Sequence, residues 1–223
     1  FLVKPAVWLR AISEYGAHVT TAPNFAYARC VTHISDDELE GADLSAWIVA
    51  MNGAEPVSAD TMRAFADRFS MYGFRRQALL PVYGMSEAAL AVSFSNAFQA
   101  TVFDRDELSK GRAIPAAEGV ELVSVGHPLV GFDLEIREDS RVLADGQVGA
   151  IFARGPSIMK GYWGRPNPVE AGWLDTGDLG FFHEQQLYIC GRAKDVLIVH
   201  GRNHAPQDVE DAVSRLEGIR EGC

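Results

Sequence analysis

The sequence predicts an α/β chain: a largely parallel sheet with helices between its strands, followed by a smaller β-rich part. Three observations predict it. Helical and strand periodicities alternate from Trp8 to Glu87, the pattern of parallel strands joined by crossover helices. From Val120 onward, short strand patterns recur between turns at Gly126, Gly131, Asp145-Gly146 and Gly155, as in a small β-rich unit. The 223 residues are 48% apolar, enough to bury a sizeable core in one or two domains.

Each element has its own signal. Trp8, Ala11, Ile12 and Tyr15 recur at helical spacing, and Gly16 stops that helix. A strand follows over His18–Ala22, then a helix from Phe25 to His33. The apolar run Ala46–Met51 reads as a buried strand ending at Gly53, and Ser58 is placed to cap a helix whose Met62, Phe65, Ala66 and Phe69 form one stripe. A strand over Ala78–Tyr83 and a helix from about Glu87 complete the alternation. Ligands of such sheets lie beyond the carboxyl ends of the strands. The loops MNGAEP (Met51–Pro56) and YGMSE (Tyr83–Glu87) both fall there, so they are expected to converge on one ligand.

Residues 96–118 are less regular, with DRDELSKGR (Asp104–Arg112) as a short solvated helix. The β-rich part is expected to end near Gly191. Val196–Val199 reads as a further strand, and Pro206 starts a helix whose Val209, Ala212, Val213 and Leu216 face one side. The chain therefore divides at 1–119, 120–191 and 192–223. It has no internal repeat and no low-complexity segment.

Composition excludes several functions. Thirty acidic residues against 20 basic ones leave a net charge of −10, which disfavours a nonspecific nucleic-acid or membrane-surface role, since both need a basic face. No apolar run reaches the ~18 residues of a membrane span, and no signal pattern opens the chain. Cys30, Cys190 and Cys223 are far apart and form no CxxC pair, which favours a reducing cytoplasm over a disulfide framework or zinc site. His18, His33, His127, His183, His200 and His204 are read as structural or exposed, with no catalytic role.

The densest chemistry lies in Trp173–Glu210, where WLDTGDLG is followed by GRAKDVLIVHGRNHAPQDVE. Asp178 is expected as an isolated acid on a Gly-flanked turn outside the core, able to accept hydrogen bonds from a vicinal diol. Arg192 offers a planar fork to phosphate or ribose oxygens. TGDL alone fits equally well a polar turn between two antiparallel strands. Glu87 is a hard oxygen donor of the kind Mg²⁺ takes alongside phosphates and water.

Together these segments resemble the adenylate-forming superfamily of acyl-CoA synthetases, peptide-synthetase adenylation domains and luciferases. MNGAEP is similar to the loop that lies against adenine in that family. YGMSEAA (Tyr83–Ala89) is similar to the YGxTE signature, GAIFARGPSIMKGYW (Gly149–Trp163) to the GEL-x-I-x-G-x-x-x-x-GYW segment, and APNFAY (Ala22–Tyr27) to an acyl-pocket segment. NGAEP, YGMSEAALAVS and GRNHAPQD look most like the fatty acyl-AMP ligases.

The resemblance implies an α/β fold made of part of a parallel-sheet adenylation domain, a small β-rich subdomain and the start of a C-terminal α+β domain. In that scheme 1–119 is the second half of the AMP-binding core, 120–191 the β-rich subdomain, and 192–223 the hinge and truncated C-terminal domain, with a family insertion within 96–118. It implies attack of a fatty-acid carboxylate on the α-phosphate of ATP, giving acyl-AMP and pyrophosphate, with ATP and Mg²⁺ required. Ser86 and Glu87 are then the catalytic positions, Glu87 being the metal ligand. Ser86 either bonds a phosphate or caps a helix.

Gly53, Ala54, Glu55 and Pro56, together with Tyr83, Gly84 and Met85, would contact the nucleotide, Tyr83 by stacking on adenine. Asp178 and Arg192 would hold its ribose and phosphate. Asn24 and Phe25 would border the acyl pocket, and Lys194 would mark the hinge. The acyl group would pass to an acyl carrier protein, with coenzyme A as the alternative, in the cytoplasm.

Members of the superfamily also carry a Ser/Thr/Gly-rich phosphate loop and a distal C-terminal Lys, and neither pattern occurs in these 223 residues. Phe1 is not an initiator residue, so the expectation is an internal piece of a longer protein, with little activity alone. A noncatalytic adenylation-like binding module is the other reading; the presence of Glu87, Asp178 and Arg192 weighs against it.

Overall fold

The computed structural model describes residues 1–195 and the backbone of 197–199 and 202–204. Helix α1 (Ala6–Glu14) leads into β1 (Val19–Ala22), α2 (Asn24–His33), β2 (Val49–Asn52), α3 (Ala59–Phe69) and β3 (Leu79–Gly84). Strands β1, β2 and β3 pair in parallel with α2 and α3 as crossovers, so the expected α/β alternation is present. Ser58 caps α3 by accepting from Thr61 N. Beneath the helices lies an aromatic cluster in which Tyr27, Trp47, Phe65 and Phe74 meet at ring separations of 5.0–6.0 Å. The expected strand at Ala46 begins later, because Trp47 folds into a turn and donates its indole N–H to Val49 O at 2.9 Å.

The helix expected from Glu87 does not form. Ser86–Ala88 is a single 3₁₀ turn, Ala89 takes φ +68°, and the chain returns as β4 (Ala91–Phe94), antiparallel to β3. The return is tight. Met85 N donates to Leu90 O at 2.7 Å, and a Cβ on Gly84 would stand 1.8 Å from that same carbonyl oxygen. Gly84 is therefore demanded by the protein's own backbone.

Strands β5 (Ala100–Phe103) and β6 (Val120–Val123) pair with each other, flanking α4 (Arg105–Ser109), the short solvated helix. Strand β7 (His127–Pro128) then pairs with β4, giving the order β1-β2-β3-β4-β7. Strands beyond residue 119 are thus built into the first sheet and its neighbour, so backbone pairing crosses the division expected there.

A second, antiparallel sheet holds β8 (Asp133–Glu138), β9 (Arg141–Val142), β10 (Gly149–Arg154), β11 (Val169–Glu170), β12 (Trp173–His183) and β13 (Gln186–Arg192). On one face the Arg137 guanidinium lies 4.5 Å from the Phe152 ring centre and 4.6 Å from that of Trp173, with Arg154 a further 4.6 Å from Trp173. The other face supplies Ile136, Ile151, Ala153 and Leu187 to a core shared with Tyr83, Ala88 and Val92 of the first sheet. That shared core fixes one sheet against the other. Beyond β13, Ala193–Asp195 is a 3₁₀ turn, and β14 (Leu197–Val199) pairs with β15 (Arg202–His204). The helix expected from Pro206 lies outside the described residues. Among those described, no helix is long and apolar enough to cross a membrane.

The β12–β13 hairpin turns on two residues, Glu184 and Gln185, at φ +50° and +64°. A two-residue turn with both φ positive is the type I′ form that favours Asn-Gly, and left-handed backbone strains a residue that carries a Cβ. Gln185→Gly is accordingly expected to raise unfolding stability by about 0.5–1 kcal/mol, net of the extra freedom glycine gives the unfolded chain. Chemical denaturation measures this, and an unchanged or lower stability would contradict the turn assignment.

Candidate active site

Alternation along β3 turns Tyr83 inward, into the core shared by the two sheets, where it is 8% exposed. Its hydroxyl donates to Asp178 Oδ2 at 2.6 Å across 95 residues of sequence. Burial, and next the Asp178 charge, push the Tyr83 phenol well above its ordinary range, so it remains the donor. The Tyr83 ring, the expected stacking face for adenine, packs in this core, and its polar end holds Asp178.

Asp178 does not sit on an isolated turn outside the core. It lies within the long strand β12 and is 8% exposed. TGD makes a bulge, because Thr176, Gly177 and Asp178 together face the single residue Ile151 of β10. Thr176 Oγ1 donates to Ile151 O at 2.9 Å and accepts from Asp178 N at 3.1 Å. Gly177, at φ +74°, lets the chain bulge. On its other side Asp178 is in register with Arg192 of β13, whose Nε lies 3.3 Å from Asp178 Oδ1 and whose side chain is 59% exposed. The carboxylate thus has one buried, short partner and one long, solvent-facing partner.

Glu87 stands on the Ser86–Ala88 turn, where its Oε1 accepts from the Tyr162 hydroxyl. That bond first, and then the residue's own backbone N–H, hold the Glu87 carboxyl below its usual range, so it is ionised at neutral pH. Ser86 is exposed and precedes no α-helix, so its reading as an N-cap lapses.

Gly84, Met85, Glu87, Tyr162, Thr176, Gly177, Asp178, Arg192, Ala193 and Lys194 line one cleft of about 330 Å³. Three sequence motifs far apart in the chain meet there, and Lys194 is exposed on its rim. A depression of about 400 Å³ at His127, Leu143, Asp145, Phe182 and Gln185 contains none of the motif residues and is set aside.

The other expected residues gather at the end of the neighbouring strand β2 without lining the cleft. Asn24 Oδ1 accepts from Asn52 Nδ2 and from Ser58 N, both at 3.1 Å. Glu55 Oε1 accepts from Phe25 N at 2.5 Å, closing the first turn of α2. Phe25 is 43% exposed. Ala54 and Pro56 are exposed, while Gly53 is buried. A Cβ on Gly53 would fall 2.6 Å from Val82 O, so its lack of a side chain serves packing against β3. Tyr162 and Thr176 also line the cleft; they lie within GYW and TGD, but no residue spacing marks them as site residues.

The AMP-binding enzyme family matches residues 1–163. The chain belongs to that family. It is 37% identical over 238 residues to the medium-chain-fatty-acid–[acyl-carrier-protein] ligase JamA of Moorena producens, covering 96% of this chain and 40% of the relative. Among solved structures, one from a study of fatty acyl-adenylate ligases of E. coli and L. pneumophila superposes with a TM-score of 0.94 at 39% identity, over 99% of this chain and 42% of that one. A fatty acyl-adenylate ligase from L. pneumophila in complex with acyl adenylate and pyrophosphate superposes with a TM-score of 0.83 at 37% identity, over 97% of this chain and 41% of that one. The chain spans about two fifths of the length of the curated relatives it matches. Its fold is that of the corresponding part of an adenylation domain.

Tyr83→Phe removes the short donor to Asp178 with little change of shape. A buried acceptor left without its partner costs about 1–3 kcal/mol, so this variant is expected to lose stability by that amount in urea denaturation. Equal stability of the two proteins would mean that the bond holds nothing.

Proposed function

We propose that the protein carrying this chain is an ATP-dependent fatty acyl-AMP ligase, joining a fatty-acid carboxylate to AMP with release of pyrophosphate. The observation that carries this reading is the meeting of Glu87, Asp178, Arg192 and Lys194 in one cleft beyond the carboxyl end of β3. The fatty acyl-adenylate ligase likeness supplies the chemistry.

A carboxylate is already a nucleophile, so the protein must align two substrates and offset the charge developing on phosphate. Asp178 would accept the ribose hydroxyls. Tyr83 keeps that carboxylate oriented, whereas the exposed Arg192 is the partner free to leave for phosphate or ribose oxygens. Ser86, exposed beside Glu87, would donate to a phosphate. Gly53–Pro56, Gly84 and Met85 would border the base, and Asn24 and Phe25 the acyl group.

Glu87 presents an ionised carboxylate to the cleft, which fits Mg²⁺ arriving with ATP and keeping phosphate and water ligands. When bound, the ion would neutralise phosphate charge. Lys194, in the turn just after β13, would be the point about which the following domain swings.

An acyl carrier protein is the acceptor we favour, since the similar JamA is named for that transfer; coenzyme A is the alternative. We place the reaction in the cytoplasm, in keeping with the three widely spaced cysteines. Incubation of the full-length protein with fatty acid, ATP and Mg²⁺ is expected to yield acyl-AMP and pyrophosphate, then acyl-carrier protein on addition of a phosphopantetheinylated carrier. Efficient acyl-CoA formation instead would assign the coenzyme A alternative, and no acid-dependent pyrophosphate release would leave a noncatalytic binding module.

Asp178→Ala is expected to weaken ATP binding at least tenfold, because each hydrogen bond to a charged group is worth about 1.5–3 kcal/mol and 1.4 kcal/mol is a factor of ten. Its burial beside Tyr83 means that stability falls as well, so affinity is to be measured by calorimetry well below the unfolding transition. Unchanged affinity with lowered stability would reduce Asp178 to a structural residue.

A further inference from the structure

The segment 155–162 runs as a strap against the Ser86–Ala88 turn, pinned to it at three points, and brings Tyr162 to the cleft. Ser157 Oγ donates to Ala88 O at 2.7 Å, Met159 N donates to Glu87 O at 2.7 Å, and the Tyr162 hydroxyl donates to Glu87 Oε1. Two of the three contacts fall on Glu87 itself, one on its backbone and one on its carboxylate. At the strap's exit the backbone passes close to Asn167. Gly161 takes φ +138°, and a Cβ there would come within 3.1 Å of Asn167 Oδ1, which accepts from Val169 N at 3.0 Å. Next to Tyr162, the Trp163 side chain is fully exposed, so the strap sends one aromatic out to solvent and the other into the cleft.

Glutamate on a cleft rim has three rotatable bonds, and fixing it from solution costs conformational entropy. A tyrosine ring is stiffer, and its hydroxyl here follows a backbone tied three residues earlier, at Met159. A carboxylate accepts at several lone-pair positions, so one bond from Tyr162 orients the group while other positions stay open to the cleft.

We propose that Tyr162 is a positioning residue for Glu87, its hydroxyl holding the carboxylate in the orientation that receives a divalent cation arriving with the nucleotide phosphates. This rests on the reading of Glu87 as the metal-facing carboxylate. Partners that orient metal-binding groups typically contribute 10–100-fold to metal affinity. For a half-exposed tyrosine the lower end applies, about tenfold.

The test uses the full-length protein without fatty acid, so that no turnover occurs, and MnATP as the probe. Affinity for MnATP and for metal-free ATP in EDTA is measured for wild type, Tyr162→Phe, Glu87→Gln and the double variant. Tyr162→Phe is expected to weaken MnATP binding about tenfold while leaving metal-free ATP binding and Tm unchanged. The double variant should lose no more than Glu87→Gln alone, because residues acting through one group are not additive. If Glu87→Gln weakens MnATP binding and Tyr162→Phe does not, the positioning role is overturned while the reading of Glu87 stands. Equal loss of metal-free ATP binding in Tyr162→Phe would show a direct nucleotide or structural role and overturn it as well. If Glu87→Gln leaves MnATP affinity unchanged, the metal-facing reading of Glu87 fails and the inference falls with it.

Discussion

The bond between the Tyr83 hydroxyl and the Asp178 carboxylate joins the end of a parallel strand in one sheet to the bulge of an antiparallel strand in the other. It lies in the core that the two sheets share, where a charged group is tolerated only with partners. It helps to fix the two walls of the cleft relative to each other, since Glu87 follows Tyr83 by one short turn and Arg192 is registered opposite Asp178. Burial makes this contact strong, and the rest of the site is arranged around it.

Around that fixed point the site grades from buried to solvent-facing. Tyr83 and Asp178 are almost wholly covered, whereas Arg192, Tyr162 and Lys194 are open to water. Groups at the covered end can hold geometry without a ligand present. Groups at the open end can exchange a protein partner for a phosphate or ribose oxygen at little cost, since exposed ion pairs contribute modestly. The carboxylate of Asp178 touches both ends of this gradient, which suits it to stay in place while trading one partner.

Much of this was legible in the sequence. The helices α1, α2 and α3 and strands β1 and β3 follow directly from periodicity and from the Ser58 cap, and the three cleft-lining motifs were recognised by their residues. What failed did so because contacts away from the local sequence overrode local signals. The helix expected at Glu87 was displaced by a turn that Gly84 permits through close approach to Leu90, a tertiary fact with no local signature. TGD reads as a turn because its Thr, Gly and Asp are turn formers, yet the flanking Trp173, Leu174 and Phe181 keep the strand going and convert it to a bulge. At Gly53 the structure adds what the sequence does not show, that the neighbouring strand occupies the space of the missing Cβ. The pairing of Tyr162 with Glu87, 75 residues apart, carried no periodic or spacing signal, so only the three-dimensional structure reveals it.

Whether the Asp178 carboxylate, fixed by Tyr83, recognises a ribose diol is decided by the binding of AMP and of 2′,3′-dideoxy-AMP to the full-length protein and to its Asp178→Ala variant. The wild type is expected to prefer AMP by at least tenfold, from the loss of hydrogen bonds to a charged group, and the preference is expected to disappear in the variant. The same preference in both proteins would contradict that recognition.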